Sequence, residues 1–251
     1  MDARPPDAQL GLPGTGEGPA DPRDRFPVGA GRGLIGLAVA AMITLLATLV
    51  IAVAFAAVGA DDITNNHAFL LIATLAQDLA FVITAYVLTA EGGAVSPATF
   101  GFRRFDIRLA AKTVAIAFAA YYALSLVYNA LVGPPCDRLP DDLGVHDSVL
   151  LAVLAGVFVI GIAPFAEELF FRGFLFQSLR QSWGVWLAAP ASGLIFGAVH
   201  FEPDKLVPLA ILGTALAWVF HRTRSIWPCI FIHALNNTLA FVVLLSDANP
   251  C

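Results

Sequence analysis

Apolar residues run along this chain in seven blocks, at roughly 33–60, 67–90, 107–133, 148–170, 185–203, 205–221 and 226–246. Turn and charge signals separate them: Asp61-Asp62, Glu91-Gly92-Gly93, Gly133-Pro134-Pro135, Glu202-Pro203-Asp204 and Arg222-Thr223-Arg224. A helix rises about 1.5 Å per residue, so about 20 apolar residues cross the ~30 Å hydrocarbon layer of a bilayer. The pattern predicts an all-α, polytopic integral membrane helical bundle of seven to eight transmembrane segments. The count depends on Val149–Leu179, which is longer than one span and contains Pro164. Proline removes a backbone donor and clashes with the preceding turn, so this stretch is either one long tilted helix or two segments meeting at the proline. No block repeats another, and residues 31–251 read as a single membrane domain.

Composition sharpens this picture. Of 251 residues, 58% are hydrophobic and only 13% charged, with a mean hydropathy of +0.77. A soluble domain carries about 25% charged residues. Half that charge does not cover the surface of a soluble globule, which excludes a soluble enzyme, a basic nucleic-acid binder and a disordered protein. Residues 1–30 differ from the rest in being rich in proline, glycine and charge, and they read as a disordered cytosolic tail. No short apolar core precedes residue 33, so the first span is expected to remain in the mature protein. Cys251 has no residues after it, so the chain is not expected to be prenylated itself.

Placement of charge predicts orientation. Of fourteen Lys and Arg residues, all but Arg138 and Lys205 fall on one side of the seven-span arrangement, with Arg172 and Arg180 counted as following the fourth span. The positive-inside rule then puts the N-terminus in the cytoplasm and the C-terminus outside, and the expected location is the plasma (inner) membrane. Cys136 and Cys251 fall outside and Cys229 within the membrane, which leaves a Cys136–Cys251 bridge open.

Ionisable residues inside apolar runs each cost several kcal/mol and need a reason. Three sets stand out: Glu167-Glu168 with Arg172, Phe196 with His200, and His233 with Asn237. Glu168 and Arg172 are four apart and share a helix face as a potential ion pair. Glu167 is rotated about 100° away and keeps no share in that partner. One carboxylate is thus held by arginine, and the other is available as a general base or acid. Snorkelling acids, a packed histidine and interhelical hydrogen bonding by His233 and Asn237 would each explain one set. Three independent packing accidents in one half of the chain are a poorer explanation than one shared site. Asp78, beside Gln77 in the second span, has no evident partner and reads as structural.

At these residues the sequence resembles the CPBP intramembrane proteases, the family of type II CAAX prenyl endopeptidases and bacteriocin-immunity proteins. Its pattern is Glu-Glu-x-x-x-Arg, then Phe-x-x-x-His, then His-x-x-x-Asn. Here Glu167, Glu168 and Arg172, then Phe196 and His200, then His233 and Asn237 match in order, across roughly 148–246. The resemblance implies a helical chamber in which Glu167 activates water with help from His200, while His233 and Asn237 stabilise the oxyanion. It implies a membrane-bound or lipidated peptide substrate in the lipid bilayer, and no nucleic-acid partner.

Glu167, His200 and His233 would also form the ligand set if a zinc ion were present. The HExxH helix of soluble zinc proteases is absent, and no cofactor is expected. Two other classes compete with the protease: a non-catalytic immunity or scaffold protein, and a proton-coupled transporter, for which paired repeats would be expected. One difficulty attaches to the seven-span register, since Glu167 falls near the cytoplasmic face while His200 lies past the middle of its span.

Overall fold

The computed structural model describes residues 26–60, 62–63, 66–133 and 145–245. The tail through Arg25, the loop carrying Cys136 and Arg138, and Cys251 lie outside the described residues, and with them the proposed bridge. Every regular element among the described residues is helical.

Seven helices follow the hydropathy blocks closely: α1 (Ala30–Ala57), α2 (His67–Ala90), α3 (Ile107–Val132), α4 (Val149–Trp183), α5 (Val185–Ala198), α6 (Leu206–Thr223) and α7 (Trp227–Leu245). A short 3-10 turn at Pro97–Phe100 precedes α3. Polar caps mark three starts. Asn66 accepts from Phe69 N–H, Asp106 from the N–H groups of Arg108 and Leu109, and Ser148 from Leu151 N–H. Each capping side chain satisfies a donor that the first helical turn leaves unpaired. Large apolar side chains remain exposed along α1, α2 and α3, among them Met42, Leu45, Leu49, Leu79 and Leu126. A surface this apolar belongs in lipid. The protein is a multi-pass helical membrane bundle.

Pro164 does not split α4. The helix runs unbroken through 35 residues, about 50 Å at the usual rise, and adapts by widening into π-helical turns at Val157–Ile162 and Leu169–Phe176. This corrects the depth assigned to the first motif. With α4 continuing to Trp183, Glu167 and Glu168 lie near its middle rather than at its end. Arg172 is fully buried and leaves the count of cytoplasmic charges.

The fifth block is also shorter than expected. α5 has 14 residues, about 21 Å, which is less than a span. His200 lies just beyond its last turn, followed by Phe201 at φ 55°. α5 and α6 approach closely through glycine: a Cβ on Gly213 would stand 2.8 Å from the Gly193 Cα. Small residues permit such backbone contact in membrane helices. A deeper Glu167 and a truncated α5 together remove the register difficulty.

The boundary of the N-terminal tail moves as well. Phe26 and Val28 are buried, and Phe26 meets Phe174 edge-on at 6.3 Å, so residues 26–29 pack on the bundle. Ala30 N–H donates to Ser182 Oγ at 2.9 Å, Gln177 Nε2 to Thr99 O at 2.9 Å and Ser225 Oγ to Arg103 O at 2.8 Å. The start of α1, the residues before α3 and the ends of α4 and α6 therefore gather at one end of the bundle. Arg103, Arg180 and Arg224 line one small pocket there.

Candidate active site

The middle of α4 carries a chain of polar contacts that ends on α7. Arg172 Nη1 lies 2.9 Å from Glu168 Oε1, and neither side chain is exposed. The same carboxylate oxygen meets His233 Nδ1 at 2.8 Å. The other ring nitrogen, His233 Nε2, faces Glu167 Oε2 at 3.8 Å. Glu167 is thus the carboxylate with no arginine, as its rotation about the helix requires. Its Oε2 and the Oε2 of Glu168 meet no hydrogen-bond donor among the described residues.

Arg172 has further neighbours beside Glu168. Its Nη2 donates to Gly213 O at 3.2 Å, and its guanidinium lies over the Phe196 ring at 4.6 Å and over Phe171 at 5.9 Å. Arginine suits such a place because its delocalised cation stacks on aromatic faces while its fork meets a carboxylate. The arginine in turn fixes Glu168, and Glu168 fixes the His233 ring. Buried polar groups linked in this way hold one geometry, because each is costly without its partner.

Phe196 joins the second motif to this chain. Its ring meets His200 at 4.9 Å and His233 at 5.6 Å, both edge-on. His200 Nδ1 lies 2.7 Å from Phe196 O. A Nδ1–H donated to that carbonyl leaves Nε2 as the proton acceptor. No hydrogen bond joins His200 to Glu167 in this structure.

Asn237 has a definite partner. Its Nδ2 donates to Val159 O at 2.8 Å. The cause lies in α4, where Ala163 N–H reaches back five residues to Phe158 O. The next residue in that register is Pro164, which has no N–H to give to Val159. Asn237 supplies the missing donor from across the bundle. Only one of its two amide hydrogens is used in this way.

Sequence reasoning left other groups aside. Asp78, read as structural, is buried on α2, and neither of its carboxyl oxygens meets a hydrogen-bond donor among the described residues. The Gly213 carbonyl carries no signal in sequence at all. His67, by contrast, is remote from the site, bonded through Nε2 to Asp147 at 2.9 Å. Cys229 is buried in α7, with Leu216 O 3.5 Å from its sulfur.

A catalytic zinc ion needs three protein ligands converging on one point. Among the described residues no group of three or more His, Cys, Asp or Glu side chains is arranged to hold a metal. Glu168 and Phe196 O meet the Nδ1 atoms of His233 and His200, which fixes each ring and leaves its Nε2 for another partner.

Comparisons with known proteins bear on the same residues. Residues 149–239 match the family model for the type II CAAX prenyl endopeptidase Rce1-like domain. A protein of Bacillus subtilis (strain 168) named "Putative membrane peptidase YdiL" is 34% identical over 114 residues, 45% of this chain and 45% of that protein. An "Uncharacterized 24.3 kDa protein" of Escherichia coli is 24% identical over 169 residues, 65% of this chain and 76% of that one. The match thus spans less than half the length of the Bacillus relative. No solved structure matches. The matched segment begins with α4 and ends in α7, and Glu167, Glu168, Arg172, His200, His233 and Asn237 all lie within this stretch that is similar to the type II CAAX prenyl endopeptidase Rce1-like family.

Proposed function

We propose that the protein is an intramembrane endopeptidase that hydrolyses a peptide bond of a membrane-bound or lipidated peptide. The observation that carries this reading is the run of contacts Arg172–Glu168–His233–Glu167, buried at mid-height in a lipid-embedded bundle. Such a run is costly to build in a membrane, and it leaves one carboxylate, Glu167, poised beside an oriented imidazole.

In this reading Glu167 takes a proton from water as the oxygen attacks the peptide carbonyl carbon. The proton passes to the leaving amine as the C–N bond breaks. His200, whose Nε2 is the acceptor, assists the first transfer. His233 in its imidazolium form donates through both nitrogens, Nδ1 to Glu168 and Nε2 to the developing oxyanion. Asn237 offers its second amide hydrogen to the same oxygen.

The test is cleavage of a prenylated peptide and its unlipidated counterpart by purified protein in detergent, with folding followed separately. Glu167→Gln should fold like wild type and lose about 10²–10⁴-fold in rate, as should His200→Ala. Asn237→Ala should lose about 10²–10³-fold. Chelators should leave the rate unchanged. An active Glu167→Gln protein would end this mechanism. A cellular phenotype surviving in that variant would instead indicate a binding protein.

We also propose that the end gathering Arg103, Arg180 and Arg224 faces the cytoplasm, following the positive-inside rule. Cys136 should then react with an impermeant thiol reagent on intact cells under reducing conditions. Labelling only after lysis reverses the orientation.

A further inference from the structure

Asp78 is 2% exposed, and neither of its carboxyl oxygens meets a hydrogen-bond donor among the described residues. A carboxylate in that condition within a membrane span is expensive, and packing alone gives no reason to keep it.

The register of α2 against α4 supplies one. The two helices run in the same direction. At their starts His67 bonds to Asp147 at 2.9 Å, and further along Phe81 stacks on Phe170 at 4.7 Å and meets Phe171 edge-on at 5.5 Å. One turn back from the stacked pair lie Asp78 on α2 and Glu167 on α4, each three residues before its phenylalanine. Residues three apart share a helix face, so the contact that stacks the rings also brings the carboxyls together. Glu167 Oε2 likewise meets no hydrogen-bond donor among the described residues.

We propose that Asp78 is a water-positioning residue of the hydrolytic site, accepting one O–H of the water whose other O–H is directed at Glu167. This rests on the protease reading. A water has two donors, and two carboxyls on the same turn of adjacent helices offer an acceptor for each. Held at both hydrogens, the water presents a lone pair in a fixed direction, which is the geometric part of activating a nucleophile. Glu167 still takes the proton. Asp78 on α2 then completes a site whose other groups all come from α4 onward.

Two measurements test this. In the peptidase assay, Asp78→Ala should lower kcat about 10–100-fold with little change in KM, since a misdirected water slows chemistry and leaves peptide binding intact. Asp78→Asn keeps an acceptor oxygen and should restore most of the loss. A normal kcat in Asp78→Ala, or an asparagine variant no better than alanine, overturns the proposal. The second measurement needs no substrate. The thermal midpoints of Asp78→Asn, Glu167→Gln and the double variant should be non-additive, because the proposed water joins the two side chains. Additive shifts overturn the pairing whatever the assay gives. Non-additive shifts in a protein that cleaves nothing would defeat the protease reading, and the positioning role with it, while leaving the pairing of α2 with α4 intact.

Discussion

Helices α1 and α4 are close in hydropathy, and either would serve as a membrane anchor. They nevertheless have different jobs. α1 buries Ala30, Gly33, Gly36 and Ala40 and turns Met42, Leu45, Leu49 and Val53 outward. α4 buries every residue from Glu168 to Leu179, including Arg172, Gln177 and Ser178. Overall apolarity therefore says that a helix crosses the bilayer, and its few polar residues say whether it lies inside the protein. α1 serves α4 as a wall. Gly36 lets it come so close that a Cβ there would stand 2.5 Å from the Phe174 ring.

The sharpest way to break this contrast is at Arg172. Arg172→Ala leaves Glu168 buried without its cation, a loss of about 3–5 kcal/mol by comparison with other broken buried pairs. Folded yield and thermal midpoint in detergent should both drop, and Glu168→Gln should be milder because it removes the charge that needed a partner. A normally folded, fully active Arg172→Ala protein would show that the ion pair is not structural.

A smaller effect sharpens the account of Pro164. Asn237→Ala leaves the part-buried Val159 carbonyl without its donor and should cost about 1–3 kcal/mol of stability. Pro164→Ala restores a backbone N–H to α4. In that background Asn237→Ala should cost less, and an equal cost in both backgrounds would separate the asparagine from the proline. Smallest of all should be Leu49→Ala on the outer face of α1. Where lipid replaces protein as the neighbour, about 0.5 kcal/mol or less is expected, the range of surface substitutions. A loss as large as that for Arg172→Ala would mean that this face is covered.

Much of the fold was legible because hydropathy reports crossing and little else is needed to place seven helices. The i, i+4 rule was enough to separate the roles open to Glu167 and Glu168, since both are set within two turns of one helix. Depth was harder. Arg172 reads as an interfacial cation in the linear sequence, and taking it so ends α4 too soon and strands Glu167 at the surface. Its burial depends on Glu168, Gly213 and Phe196, and two of those partners lie far away in sequence. Asp78 stayed hidden for the same reason, because its neighbour is set by the register of α2 on α4. α5 was overextended because the apolar run continues to Phe201 after the helix has ended at Ala198. The Val159–Asn237 bond could not be read either, since it depends on a π-turn that sequence does not announce.

That bond has a consequence for how α7 is aligned. The ring of Pro164 erases one hydrogen from α4 and so marks a single carbonyl along its length as unserved. Asn237 answers that mark, and His233 sits one turn before it on the same face of α7. The proline therefore acts as an address. It fixes the rotation and height of α7 at a point next to the carboxylates, so that His233 arrives with Nδ1 on Glu168 and Nε2 toward Glu167. A helix with a complete backbone at 164 would be better formed by itself, and it would no longer tell its neighbour where to stop.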